Sequence, residues 1–297
     1  MPASPICVFG EVLFDRFPDG HEVLGGAPFN VAWHLAAFGE RPLLVSAVGA
    51  DAEGERIRAA MRDWGMDLGG LQTDPEHPTG AVAVSLVGGE PSYDIVPDVA
   101  YDHVRPIDNA PECELLYHGT LALRDADSAR TLEALRDVSA RQVFLDVNLR
   151  APWWTREQVL ALVDAADWVK LNRDELARLS PSASPAEPGL ATQAEAFRLA
   201  HGLAGVILTL GAEGALACTA GEPPVPVQPP PRIQVVDAVG AGDAFAAVTI
   251  LGIRRGWPLA VILERAQAFA ARIVGQRGAI AADPVLYARF IAEWGGA

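Results

Sequence analysis

Short apolar runs separated by amphipathic segments recur along most of the chain. Residues 6–10 (ICVFG), 42–49 (PLLVSAVG), 114–119 (ELLYHG), 142–148 (QVFLDVN), 167–172 (DWVKLN) and 205–211 (GVILTLG) predict buried strands. Between them, 29–39, 52–65, 125–140 and 191–202 carry helical period. In the first of these, Phe29, Ala32, Trp33, Ala36 and Ala37 form one apolar stripe. Alternation of this kind predicts an α/β fold, with a mostly parallel central sheet and helices on both faces. Ligands of such sheets bind at the carboxyl ends of the strands.

Two stretches break the alternation. Residues 79–98 (TGAVAVSLVGGEPSYDIVPD) read as strand, Gly-Gly turn, strand, and residues 12–24 have a similar hairpin look around PDG. The two hairpins either pair into a small separate sheet over a pocket or lie within the main sheet. The proline-rich stretches 180–189 and 222–233 read as loops, and alternation resumes after each, so a single domain over 1–297 is expected.

Composition narrows the partners. A formal charge of −15 argues against nucleic acid or an anionic membrane. No apolar run approaches the ~20 residues that span a bilayer, and the first residues do not read as a signal peptide. Cys7, Cys113 and Cys218 are far apart and in no CxxC spacing, which predicts neither a disulfide framework nor a zinc site and suggests a reducing cytoplasm. Lys170 is the only lysine, so a mechanism that needs a lysine has one candidate.

Several nucleotide motifs are absent. A Walker A loop needs Gly-Lys before Ser or Thr, and the sole lysine lies in VKLN. What the chain does offer is DAVGAGDAF (237–245), where a strand-like RIQVV hands over to an apolar helix. Gly240, Ala241 and Gly242 free the backbone to turn successive N–H groups toward one point, and the helix start adds its positive end. Asp243 sits at that start, where a carboxylate can take the proton of a hydroxyl attacking phosphorus. Taken alone, these nine residues fit a Gly turn with a capped helix equally well. A second motif, GGAPFN, places Gly26 and Asn30 before an amphipathic helix, and Asp15 follows the first strand. A carboxylate and an amide together suit a polyol.

With these motifs the chain resembles the ribokinase-like carbohydrate kinases of the PfkB family. GGAPFNVAWHLAAFG looks like the family's N-terminal signature and DAVGAGD like its C-terminal one. GADAEG (49–54), NRDE (172–175) and TLGAEG (209–214) fall between them in the expected order. The resemblance implies a ribokinase-like fold with a small β lid formed by the hairpins at 12–24 and 79–98, which in this family often pairs in a homodimer. It implies that Asp243 is the base, with Gly240, Ala241 and Gly242 as the anion hole, and that Asp15, Gly26 and Asn30 hold the sugar. ATP would be the second substrate. Asn172 and Glu175 would organise Mg²⁺ through water, and Thr209, Gly211 and Gly214 would line the nucleotide site. Asp237 would serve a monovalent cation such as K⁺. Ala238 departs from the family's usual Thr.

LDVNLRAPWW (145–154) is similar to a DxNxR segment of fructokinases and ketodeoxygluconate kinases. Arg150 there would reach either the transferred phosphate or a substrate carboxylate. The implied activity is phosphorylation of a primary hydroxyl of a ketose, fructose first. Ketodeoxygluconate or a ribose-like sugar is the alternative, and a non-catalytic sugar-binding protein is the rival from another class. Trp153 and Trp154 are expected to pack at a helix start, His118 to sit at a strand end, and Asp51 to cap its helix.

Overall fold

A computed structural model describes residues 6–87, 90–107, 110–180, 189–229 and 235–295. Its strands are β1 (Ile6–Phe9), β2 (Leu13–Arg16), β3 (Glu22–Gly25), β4 (Leu43–Gly49), β5 (Leu71–Asp74), β6 (Gly80–Val87) and β7 (Glu90–Ile95). They continue as β8 (Leu115–His118), β9 (Val143–Asp146), β10 (Trp168–Asn172), β11 (Gly205–Thr209), β12 (Ala215–Thr219) and β13 (Val225–Val227). The helices are α1 (Ala27–Ala37), α2 (Ala52–Asp63), α3 (Ala126–Ser139), α4 (Arg156–Asp164) and α5 (Arg173–Leu179). After them come α6 (Leu190–Ala200), α7 (Ala241–Arg254), α8 (Leu259–Ile273) and α9 (Pro284–Glu293).

Nine strands form the main sheet in the order β13-β12-β11-β10-β9-β8-β1-β4-β5. All its pairings are parallel except those of β12 and β13, which add antiparallel at one edge. Both faces are dry, as period two requires. In β1, Ile6 and Val8 pack with α1, α7, α8 and α9, while Cys7 and Phe9 pack on the opposite face with α3. Helices α4, α5 and α6 cover that second face further along, over Leu145, Val169 and Val206.

The two hairpins do form a sheet of their own, in the order β3-β2-β6-β7, joined by a parallel pairing of β2 with β6. It fits the expected lid. The base of this sheet is tied to the body by Asp51, which caps α2 through the Gly54 N–H and also accepts from the Thr79 N–H and hydroxyl. The Gly-Gly turn at 88–89 lies outside the described residues.

Four readings need correction. Helix α1 is enclosed on all sides from Pro28 to Leu35 rather than along one stripe, because α7 covers its second face. The loop read at 222–233 contains β13, whose one proline, Pro226, is tolerated at a sheet edge. In RIQVV only Val235 and Val236 are described, and they lie outside any strand, with the Val236 N–H on the Val274 carbonyl. Finally, Cys7 and Cys113 form a disulfide across 106 residues, with Cα atoms 5.9 Å apart, and Cys218 is the free, buried thiol. Sequence spacing hid this pairing, which the parallel contact of β1 with β8 creates. The ground for expecting a reducing compartment is thereby removed. No helix among the described residues is long and apolar enough to cross a membrane.

Candidate active site

A cavity of about 370 Å³ opens at the carboxyl edge of the main sheet, beneath the small sheet. Its roof is apolar, from Leu13 of β2, Val82 of β6 and Ile95 of β7. Its floor is polar, from Glu11, Asn30, Arg150 and Asp243, and Asp15 of β2 reaches in from the roof beside Leu13. The β1 strand ends at Phe9, and the chain turns immediately through Gly10, whose backbone has φ +143 and lies against the Pro28 ring. That turn places Glu11 at the strand end with the start of α1 beside it, and β2 then carries Asp15 in the small sheet. Gly26 has φ +107, and a Cβ there would lie 2.6 Å from the Glu11 carbonyl oxygen, so only glycine lets the two segments meet.

Asn30 lies in the first turn of α1 and Asp243 in the first turn of α7, and the two helices pack against each other. The Asn30 amide donates from Nδ2 to Asp243 Oδ2 at 2.8 Å. Burial pushes the Asp243 carboxyl up to about 6. The Asn30 hydrogen bond pulls the other way, the Asp146 charge adds to the rise, and Lys170 and Arg150 oppose it. Asp15 is also pushed up to about 6, first by burial, with Arg150 opposing and Asp237 and Asp243 adding.

Gly240 takes the left-handed conformation (φ +79) that starts α7, and a Cβ there would collide with the Ala279 backbone. The Ala244 N–H is bonded to the Gly240 carbonyl, so the N–H groups of Gly242 and Asp243 stand outside the helical ladder. Together with Ala238, Val239 and Gly240 on the cavity wall, this loop can receive an anion. Asp237 holds the loop in shape: one carboxylate oxygen accepts from the Val239 N–H and the other from the Gly278 N–H, both at 3.0 Å.

Beneath the loop lies the only lysine. Lys170 of β10 is buried and donates to both carboxylate oxygens of Asp146 of β9, at 2.9 and 2.8 Å. The two residues are register partners in the sheet. A Cβ on Gly242 would lie 3.4 Å from Lys170 Nζ, which puts the ion pair directly under the α7 start. Burial disfavours the charge on Lys170, and Asp146 outweighs it, so its pKa is raised.

The residues expected at the nucleotide site lie further along the same sheet edge. Asn172 and Thr209 end β10 and β11 and are register partners. Asn172 Oδ1 accepts from the Glu175 N–H, and Glu175 Oε2 accepts from the Asn172 N–H, a reciprocal cap that starts α5. The other Glu175 oxygen accepts from the Leu149 N–H at 2.9 Å, which ties α5 to the Asn148–Arg150 segment. Burial raises the Glu175 pKa against these two backbone bonds. Gly214 has φ +97, and a Cβ there would meet the Val227 carbonyl, so its freedom serves the approach of β13. Gly211 (φ +58) faces open space. Arg150 is exposed at the cavity rim and has no ion-pair partner among the described residues.

The structure thus gathers Asp15, Gly26, Asn30, Arg150, Gly240, Gly242 and Asp243 around one cavity. It leaves Asn172, Glu175, Thr209, Gly211 and Gly214 off that cavity's wall. Ala241 starts α7 between Gly240 and Gly242. Glu11, Asp146 and Lys170 were not singled out as site residues. The solitary lysine and the carboxylate directly after a buried strand were the available signals. His118 is buried at its strand end with Nδ1 on the Gly119 carbonyl, as expected, and Trp153 packs under the Arg124 guanidinium.

Solved structures similar to this chain include sugar kinases. The chain is similar to the fructokinase of Vibrio cholerae in its fructose-, ADP- and calcium-bound form (TM-score 0.78, 26% identity, 96% of this chain and 98% of that one). It is also similar to the aminoimidazole riboside kinase of Salmonella enterica, complexed with aminoimidazole riboside and an ATP analogue (TM-score 0.80, 26% identity, 97% and 99%). The chain belongs to the PfkB family of carbohydrate kinases, whose family model, pfkB family carbohydrate kinase, matches residues 6–286. Among curated relatives, the aminoimidazole riboside kinase of Salmonella typhimurium is 30% identical over 303 residues, covering 95% of this chain and 92% of that protein. The fructokinase of Escherichia coli is 28% identical over 306 residues, covering 95% and 97%.

Proposed function

We propose that this protein transfers the γ-phosphate of ATP to a primary hydroxyl of a neutral ketose, fructose first, with Asp243 as general base. The observation that carries this reading is the 2.8 Å hydrogen bond from Asn30 to Asp243. It joins the amide of the polyol site to the carboxylate of the anion loop, so the hydroxyl to be activated is held beside the group that takes its proton. Asp15 and Asn30 hold the sugar, and the N–H groups at the start of α7 meet the transferred phosphoryl. Arg150, unpaired at the rim, adds a positive charge to that phosphoryl's side.

A neutral sugar is favoured over ketodeoxygluconate because three carboxyl groups line the cavity against one guanidinium. The similarity to an aminoimidazole riboside kinase supports a second neutral acceptor, a riboside, and it belongs in the same assay.

Magnesium fits this chain through water rather than directly, because both Glu175 oxygens already hold backbone N–H groups. Bound with ATP, the ion would supply charge neutralisation on the phosphates, and Asn172 and Glu175 would hold its shell. For a K⁺ ion, Asp237 would act chiefly by shaping the loop and lending its charge, since its two oxygens hold the Val239 and Gly278 N–H groups and the ligands would be backbone carbonyls. The test is ADP release with fructose, aminoimidazole riboside, ribose, tagatose and ketodeoxygluconate, in K⁺ and in Na⁺. Fructose or another neutral sugar should stimulate release, and stimulation by ketodeoxygluconate alone would overturn the neutral-substrate assignment.

A further inference from the structure

We propose that Glu11 is a specificity-determining residue that hydrogen-bonds a sugar hydroxyl other than the one phosphorylated. This rests on the sugar-kinase reading above and adds to it a residue that the motifs do not contain.

Glu11 is 4% exposed, at the end of β1 and against the start of α1. A carboxyl group removed from water is normally paired with a cation or fully hydrogen-bonded. Glu11 is neither. It has no ion pair among the described residues, and its Oε2 has no hydrogen-bond partner. The side chain nevertheless faces the cavity beside Asp15, Asn30, Arg150 and Asp243. Packing offers no reason for an acid here, because Leu13, Val82 and Leu121 line the same cavity and show that apolar side chains fit its wall. A buried polar atom left without a partner, on a residue that lines a cavity, is the mark of a partner that arrives with the ligand.

A second orphan sits on the same floor. Asn30 Oδ1 is buried without a partner, while its Nδ2 is committed to Asp243. The amide is thereby fixed with its oxygen free, and that oxygen can only accept. Two unmet oxygens on one wall call for hydroxyl groups, each of which donates one hydrogen bond and can accept another. A substrate carboxylate would meet acceptors there and be repelled. Burial, with Asp243 nearby, pushes the Glu11 carboxyl up to about 7 against its own backbone N–H, the charge of Arg150 and the backbone N–H of Ala27. In its protonated form it donates as well as accepts, which suits a hydroxyl oxygen in either role. A site that hydrogen-bonds a substrate hydroxyl rejects the analogue lacking it, because the buried partner is then left unmet.

The experiment compares wild type, Glu11→Gln and Glu11→Leu. It measures steady-state ADP release with the best neutral sugar and its monodeoxy analogues, and sugar binding by calorimetry without ATP. Expected is an increase of about tenfold or more in sugar KM and Kd for Glu11→Leu, with KM for ATP within twofold. Glu11→Gln, which still donates and accepts, should recover most of the loss. One monodeoxy analogue should be discriminated by wild type and not by Glu11→Leu. Thermal melts confirm folding, and removal of a buried acid should leave the melting temperature equal or higher at pH 8. A folded Glu11→Leu with wild-type sugar KM and Kd overturns the assignment and leaves the kinase reading standing. Wild-type protein that neither binds nor phosphorylates any sugar of the panel overturns both.

Discussion

Asn30 and Asp243, 213 residues apart in sequence, are joined by a 2.8 Å hydrogen bond that fixes the amide and the carboxylate relative to each other. Each lies in the first turn of its own helix, and the packing of α1 on α7 makes the contact. Replacing Asn30 by Ala should therefore affect both sugar binding and chemistry. Sugar KM should rise and kcat fall, each by about tenfold, with KM for ATP unchanged. In a double-mutant cycle with Asp243→Asn the losses should be clearly less than additive, since the two residues act as a unit.

The glycines of the anion loop should separate folding from function. A Cβ on Gly240 collides with Ala279 and demands an unfavourable φ, so Gly240→Ala should lose roughly 1–3 kcal/mol of stability along with activity. On Gly242 a Cβ meets only the end of Lys170, at 3.4 Å. Gly242→Ala should fold with a melting temperature near wild type while kcat drops by about 10²-fold, because the methyl group crowds the Lys170 ammonium and shifts the loop whose N–H groups receive the anion. Thermal melts beside steady-state rates distinguish the two cases.

The buried Lys170–Asp146 pair should be costly to break from one side. Lys170→Met leaves Asp146 without its cation and should cost about 3–5 kcal/mol in urea unfolding. Lys170→Met combined with Asp146→Leu should recover only part of that loss, because the buried Tyr117 hydroxyl, which donates to Asp146 Oδ2 at 3.3 Å, is then left without its acceptor. Recovery of stability without recovery of kcat would place the pair in support of the α7 start as well as of the fold.

Three cavity carboxyls should make stability fall as pH rises. Glu11 is pushed up to about 7, and Asp15 and Asp243 to about 6, chiefly by burial. Each binds its proton more tightly in the folded chain than in the unfolded one. Their stabilising contribution is thus full below about pH 4 and is lost as pH passes through 6 and 7. Glu11→Gln should raise the melting temperature by several degrees at pH 8 and by less at pH 5. The sugar kcat/KM should run the opposite way, rising between pH 5 and 7 as the base ionises. The apparent pKa of that rise belongs to the coupled group rather than to Asp243 alone.

Much of this architecture was legible in the chain. The six apolar runs became strands because each is buried on both faces, where continuous hydrophobicity is the only pattern that works. The separate sheet of β2, β3, β6 and β7 was readable as two hairpins, but their pairing through β2 and β6 was left open, because register across distant segments has no local signature. Asp15, Asn30 and Asp243 were found through motif order. Glu11 was not, because a single carboxylate after ICVFG looks like any strand end until the cavity shows that its oxygen has no partner. Cys7 and Cys113 illustrate the same limit, since sheet order alone makes them neighbours. Gly214 is the converse case, a motif glycine whose conformation serves the packing of β13.

The most direct test of the central claim is the turnover number of Asp243→Asn with saturating sugar and ATP, alongside calorimetric binding of each substrate. The asparagine keeps the shape of the side chain and the contact with Asn30 but cannot take a proton. The account predicts kcat reduced by about 10²-fold or more with sugar and ATP affinities within a few-fold of wild type. A wild-type kcat in the folded variant would contradict it.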